Sequence, residues 1–193
     1  AYIPVTGGRR QFTYTAAMER DSTCVTFRCQ ASDPKEDVKF VSSYGTEAHA
    51  FLERLQCAPK LLYCGAIDDS SCSYSGMQMV VMEYIQGQTL SAAKAKDSII
   101  DDGIEGKLRK ALDALHGGGF VFGDLRGPNI ILPDDSRPVV FLDFDWAGKT
   151  GTARYPINLS SSVDWPLDAE GLGEIKPEHD LHMLQKIVEK YLV

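Results

Sequence analysis

Three residues in the second half of the chain have the types and spacing for chemistry on a phosphoryl group. In Phe122-Gly-Asp-Leu-Arg-Gly-Pro-Asn-Ile-Ile-Leu132, Asn129 stands five residues after Asp124, and nineteen residues after Asp124 comes Asp143, opening Asp143-Phe144-Asp145. Phosphoryl transfer asks a protein for positioning and charge neutralisation more than for covalent work. Magnesium is a hard cation that takes oxygen ligands, which suits the Asp143 carboxylate and the Asn129 amide oxygen. A further carboxylate not tied to metal, Asp124, can align an acceptor hydroxyl and take its proton.

The elements around these residues follow from local pattern. Ile130-Leu132 and Val139-Leu142 are short apolar runs separated by the turn-rich Pro133-Asp-Asp-Ser-Arg-Pro138. That pattern predicts a hairpin, which returns Asn129 and Asp143 to the same end of the structure. Upstream, Ile100, Ile104, Leu108, Ala111, Leu112 and Leu115 form one helical stripe, and Gly117-Gly118-Gly119 stops it. Residues 11–42 read as extended, with a turn at Asp33-Pro34. Residues 43–56 read as a helix with Ser42 or Ser43 as N-cap, carrying Ala48, Phe51, Leu52 and Leu55 toward the core. Leu61-Ile67 and Met77-Tyr84 are strand candidates joined by a Ser/Asp/Gly-rich loop. Trp146-Pro166 lacks periodicity and reads as loop. A last helix spans about 178–191, through Leu181, Leu184, Ile187, Val188 and Tyr191. Strands with one helix, followed mostly by helices, suit an α+β architecture.

From about Val25 to Tyr191 the chain resembles a protein-kinase-like domain, on the Asp124, Asn129 and Asp143 motifs just quoted. It is similar to the small, divergent kinase-like proteins of fungi, and Asp145 resembles the acid found there in aminoglycoside and choline kinases. The resemblance implies a two-lobed kinase-like fold in one domain, residues 1–193. A β-rich N-lobe at 11–84, a hinge at 85–88 and a truncated helical C-lobe at 89–193 are expected. It implies ATP and Mg2+ as cofactors, with Asp124 and Arg126 catalytic and Asn129 and Asp143 on metal. Lys39, in Val38-Lys-Phe-Val41, resembles the strand lysine that holds phosphates, and Glu47 the helix glutamate that pairs with it. Val80-Val-Met-Glu-Tyr-Ile85 resembles the hinge strand, so an adenine would lie beside Met82 against backbone of Glu83 and Ile85. Asp180 resembles the helix aspartate that braces the catalytic loop, or it is an acid favoured by a helix N-terminus. Asp145 supports a second metal or caps a turn. His179 and His182 read as surface or packing residues.

Several kinase parts are missing. No Gly-x-Gly-x-x-Gly cover lies between Gln11 and Gln30, where Glu19-Arg-Asp-Ser22 stands instead, and Gly7-Gly8 comes too early. Phe122-Gly123 replaces the usual His-Arg pair, which removes the partner of an activation-loop phosphate. No Ala-Pro-Glu follows Asp143. The expected function is therefore a phosphotransferase acting on a protein or small-molecule hydroxyl. The alternative is a pseudokinase that binds nucleotide or partners without turnover.

Bulk properties bound the rest. The apolar fraction of 44% and charged fraction of 24% are ordinary for a folded domain. A net charge of −7 without basic blocks argues against nucleic-acid or anionic-membrane partners. No run of about 18 apolar residues predicts a membrane span. The chain starts at Ala1 rather than Met, so its beginning need not be complete, and residues 1–10 lack the apolar core of a signal peptide. Five cysteines without a Cys-x-x-Cys pair suggest reduced thiols in an intracellular, cytoplasmic protein.

Overall fold

The computed structural model describes residues 2–5, 8–11, 13–20, 24–30, 35–67, 76–98, 100–101 and 103–192, with side chains at 13–16, 27 and from 36 onward. The Asp33-Pro34 turn, Gly7, part of the Glu19–Ser22 segment, most of the loop after Ile67 and the side chains of Cys24, Cys29 and Cys72 lie outside the described residues. Of the other two cysteines, Cys57 is buried and Cys64 half-buried, both as free thiols. No described helix is long and apolar enough to cross a membrane.

The chain divides into two compact units, one of residues 1–44 and 59–85, the other of residues 45–58 and 86–193. The helix Thr46–Arg54, in a stretch expected within an N-lobe of residues 11–84, lies in the second of these units.

The first unit opens with a hairpin of β1 (Tyr2–Val5) and β2 (Gly8–Gln11). Its main body is built from β3 (Thr13–Arg20), β4 (Cys24–Gln30), β5 (Lys35–Val41), β6 (Leu61–Ala66) and β7 (Gln78–Glu83). They form an antiparallel sheet in the order β3-β4-β5-β7-β6. Alternation sends Val38, Met79 and Val81 to one face, with Phe27 and Phe40 packed on them. Val41, Val80 and Met82 occupy the opposite face.

The second unit begins with α1 (Thr46–Arg54). Its N-cap position is Gly45 rather than Ser42 or Ser43. The backbone N–H of Gly45 donates to Phe144 O at 2.8 Å, so the helix starts where the chain docks on that segment. Next come β8 (Gly87–Thr89), the short α2 (Leu90–Ala95) capped by the Thr89 hydroxyl, and α3 (Ile104–Gly117). The expected stripe of α3 is buried from Ile104 to Leu115, and Ile100 precedes the helix. Beyond α3 lie β9 (Phe120–Val121), a 3-10 turn at Gly127–Asn129, β10 (Ile130–Pro133), β11 (Val140–Phe141) and β12 (Gly148–Lys149). β8 and β11 flank β10, and β12 pairs with β9.

Residues 153–157 and 171–175 run antiparallel, joined by Ile175 N–H to Ala153 O and Tyr155 N–H to Gly173 O, both 3.0 Å. Tyr155 and Ile175 cover Val121 there, with Trp146 and Trp165 packed around them. The last helix, α4 (Pro177–Ile187), runs into a π-helical turn at Val188–Leu192. Its inward face is His179, Asp180, Met183, Leu184 and Ile187. Leu181, expected inside, stands 37% exposed. Two buried polar residues had disguised the true face in the apolar periodicity.

Candidate functional site

Asp124, Arg126, Asn129 and Asp143 come together in the second unit. The 3-10 turn ends at Asn129, and β10 leaves from it at once. β10 and β11 pair Ile130 with Phe141 and Ile131 with Val140. The ladder closes with Leu142 N–H donating to Asn129 O at 2.8 Å, so Asn129 accepts its last bond and Asp143 follows the donor. This is the hairpin read from the sequence. Asp143 itself has φ +67°, a left-handed conformation uncommon outside glycine and best tolerated by Asp and Asn. Such backbone persists when its surroundings over-determine it, and it gathers at functional sites.

Asp124 is buried, 5% exposed. Arg126 grips it with a two-pronged pair, Nε to Oδ1 at 2.5 Å and Nη2 to Oδ2 at 2.6 Å. The Asn129 amide donates to Asp124 Oδ2 at 2.8 Å and to Asp124 O at 2.9 Å. Burial pushes the Asp124 carboxyl above the usual carboxylate range, helped by the negative charge of Asp143 and opposed by Arg126 and Asn129. With its nitrogen committed to Asp124, Asn129 keeps its amide oxygen as an acceptor.

The loop carrying Asp124 is fastened from below. Asp180, in the first turn of α4, accepts the backbone N–H groups of Phe122 and Gly123, each at 2.8 Å. His116 Nε2, at the end of α3, meets the same carboxylate at 2.9 Å. Asp180 is thus both an early helix acid and a brace, which unites the two sequence readings. Gly123 has φ +85°, and a Cβ there would lie 2.8 Å from Ile175 Cδ1, so glycine answers both backbone and space.

Aromatic packing supports the same loop. Phe122 meets Phe141 and Phe144 edge-on at 5.2 and 5.3 Å between ring centroids. His49 of α1 stacks on Phe144 at 4.5 Å. His49 and His116 escaped the sequence reading, because each acts through a partner distant in the chain. His179 is buried, as a packing residue should be, and stacks on Tyr155 with Nδ1 3.1 Å from the Tyr155 hydroxyl. Its Nε2 lies 3.2 Å from Asp168 Oδ1 without hydrogen-bond geometry.

The other expected nucleotide residues lie in the first unit, apart from Glu47. Lys39 is 3% exposed and pairs across the sheet with Val80, so it shares a face with Val41 and Met82. Glu83 is engaged with Lys60, whose O accepts the Glu83 N–H at 3.0 Å and whose N–H donates to Glu83 Oε2 at 3.2 Å. Ile85, at the end of that unit, is buried. Glu47 belongs to α1 in the second unit, where its exposed carboxylate meets Lys149 Nζ at 2.8 Å.

No model of a known protein family matches the chain, and no curated protein does. Solved structures do. The chain is similar to vaccinia related kinase 3, with a TM-score of 0.69 and 17% identity over 99% of this chain and 67% of that one. It is similar also to the Cydia pomonella granulovirus kinase PK-1, with a TM-score of 0.71 and 13% identity over 93% of this chain and 70% of that one. The class is thereby defined: the chain has a protein-kinase-like fold, α+β in content. Among the described residues the five-stranded sheet lies in the first unit and every helix in the second, beside five short strands.

Proposed function

We propose that this protein is an ATP- and magnesium-dependent phosphotransferase that acts on a hydroxyl acceptor. The observation that carries the reading is the buried Asp124, held by Arg126 and Asn129, its carboxyl pushed up by burial and to a smaller extent by the charge of Asp143. Among the described residues no three His, Cys, Asp or Glu side chains are grouped to hold a metal. Magnesium does not need such a cage, since it keeps waters and substrate phosphates beside one or two protein oxygens. Asn129 Oδ1 and the Asp143 carboxylate fit that requirement. Bound there, the ion would neutralise charge on the phosphates.

In this reading Lys39 contacts the phosphates, and Met82 packs beside the adenine, whose edge meets backbone of Glu83 and Ile85. Glu47 would support the Lys39 ammonium after leaving Lys149. Asp124 takes the proton of the acceptor hydroxyl as the oxygen bonds to the γ-phosphorus. The bond from that phosphorus to the β,γ-bridging oxygen breaks, and ADP departs. Arg126 balances charge on the group in transfer.

A second reading has its own observation. Both Asp124 oxygens are engaged, Oδ1 by Arg126 and Oδ2 by Arg126 and Asn129. A base held so tightly suits a pseudokinase that binds nucleotide or partners without turnover. Each carboxylate oxygen accepts two hydrogen bonds, so Oδ1 retains capacity for an acceptor hydroxyl, and the enzyme reading comes first.

The test is thermal unfolding with ATP, with and without magnesium, on the parent and on Asp143→Ala and Lys39→Met. Ligand at about a hundred times its Kd stabilises by roughly 2.7 kcal/mol, a rise of several degrees. A magnesium-dependent rise in the parent, lost in Asp143→Ala and reduced in Lys39→Met, is expected. No rise at millimolar ATP overturns the nucleotide site, and a rise without turnover on any hydroxyl acceptor favours the second reading.

A further inference from the structure

We propose that the cavity beside Arg126 in the second unit binds a small hydroxylated anion with an apolar body, and that this anion is the phosphoryl acceptor. The word acceptor rests on the phosphotransferase reading, whereas the binding claim rests on the cavity. Its volume is about 520 Å³, within the roughly 300–1,000 Å³ of small-molecule sites. Arg126 forms part of the wall while holding Asp124, so the cavity opens one side chain from the candidate base. Pro128, Val163, Met183 and Ile187 supply apolar wall. Tyr191 closes it against Gly127, where a Cβ would lie 2.6 Å from Tyr191 Cζ.

Charge selects the ligand. Three cations line the cavity, Arg126, Lys186 and Lys190, against two acids, Asp164 and Glu189. Lys186 meets both acids, at 2.8 and 3.5 Å. Arg126 is matched by Asp124. Lys190 meets no carboxylate among the described residues, and its ammonium stands 5.3 Å from the Tyr191 ring centre. It is exposed, and so is available to an entering group. A carboxylate or phosphate can pair with the Lys190 ammonium, whereas an amine would be repelled by it. The apolar walls take the body of the ligand, and its hydroxyl would face Arg126, the wall residue that holds Asp124.

Three probes of one shape separate the terms: 3-phenyllactate, the neutral 3-phenyl-1,2-propanediol and the cationic phenylalaninol. Each is titrated into the whole chain without nucleotide and followed by calorimetry. Phenyllactate is expected to bind about tenfold or more tightly than the other two. Lys190→Glu should abolish that preference, and Lys110→Glu, an exposed reversal on α3, should leave it. Equal binding of the three probes, no binding at millimolar concentration, or a preference indifferent to Lys190→Glu overturns the proposal. The nucleotide reading is judged separately by the thermal shift with ATP. A magnesium-dependent shift without probe discrimination removes this inference alone. Discrimination without a shift keeps the anion site and removes its role as acceptor site.

Discussion

Asp180 holds the loop before Asp124 by its backbone, accepting the N–H groups of Phe122 and Gly123 from 58 and 57 residues away. Asp180 is 1% exposed, and His116 shares its carboxylate. Removing it leaves two buried amides and an imidazole without their acceptor. An unsatisfied buried donor costs about 1–3 kcal/mol. Asp180→Ala is therefore expected to lose about 3 kcal/mol or more of stability, measured by urea unfolding. Asp180→Asn, which keeps one acceptor oxygen, should lose less. Equal stability of Asp180→Ala and parent would show that water replaces the brace.

Asp124→Asn should leave ATP affinity near the parent value while turnover falls by about 10²-fold or more, as expected when a positioned base is lost. Calorimetry and a phosphate-release assay read the two separately. Unchanged turnover would remove Asp124 from the chemistry.

The pH dependence of that turnover follows from burial. The folded Asp124 carboxyl titrates above its ordinary value, so its neutral form is favoured in the fold. Its stability contribution is complete below the unfolded pKa and is lost as pH rises through the folded value. A base must be ionised, so turnover should climb with pH above the usual carboxyl range. Arg126→Ala removes the largest influence holding the pKa down, which should move that limb to higher pH. A limb unmoved by Arg126→Ala would mean that another group controls it.

Asp168 works in the opposite sense. The hydrogen bond from Lys176, and after it the proximity of the His179 imidazole, lowers its pKa to about 2. Stability from this group is present above the unfolded pKa and lost as pH falls toward about 2. Asp168→Asn should narrow the gap to the parent between roughly pH 4 and pH 2. The group is exposed, so the effect is small and weakens with salt. Acid unfolding curves identical in parent and mutant at low salt would contradict it.

Gly123→Ala combines a positive φ with a close approach to Ile175. A loss of about 1–3 kcal/mol is expected, the cost of a non-glycine residue in sparsely populated backbone. Gly123→Asn should retain more, because asparagine tolerates left-handed φ. If alanine and asparagine cost the same, crowding rather than backbone conformation sets the requirement.

The parts of this molecule legible in sequence are those written in neighbouring residues. Two apolar runs around a Pro/Asp/Ser turn predicted the hairpin that brings Asn129 near Asp143, and the α3 stripe lay at ordinary helical spacing. β8 did not stand out, and α2 was read only as part of a longer helical stretch after Gly87. Three and six residues carry too little periodicity to distinguish from their surroundings. The N-cap of α1 was misplaced because Gly45 is chosen by docking against Phe144, which no local preference records. The support around the site, His49 on Phe144 and His116 on Asp180, is fixed by long-range packing of single histidines. A lone histidine leaves no pattern to read.

The contrast between near and distant contacts bears on how the site assembles. The pairing of Ile130 with Phe141 closes a short stretch of chain, whereas the bond between His116 and Asp180 spans 64 residues. Closing the longer stretch costs about 1.5 kcal/mol more in chain entropy. The hairpin with Asn129 and Asp143 is therefore expected to form early in folding, and the α4 brace to dock late. In kinetic terms, Asp180→Asn should speed unfolding and leave refolding nearly unchanged, while Ile131→Val in the hairpin should slow refolding. A large fall in the refolding rate of Asp180→Asn would place the brace in the folding nucleus instead.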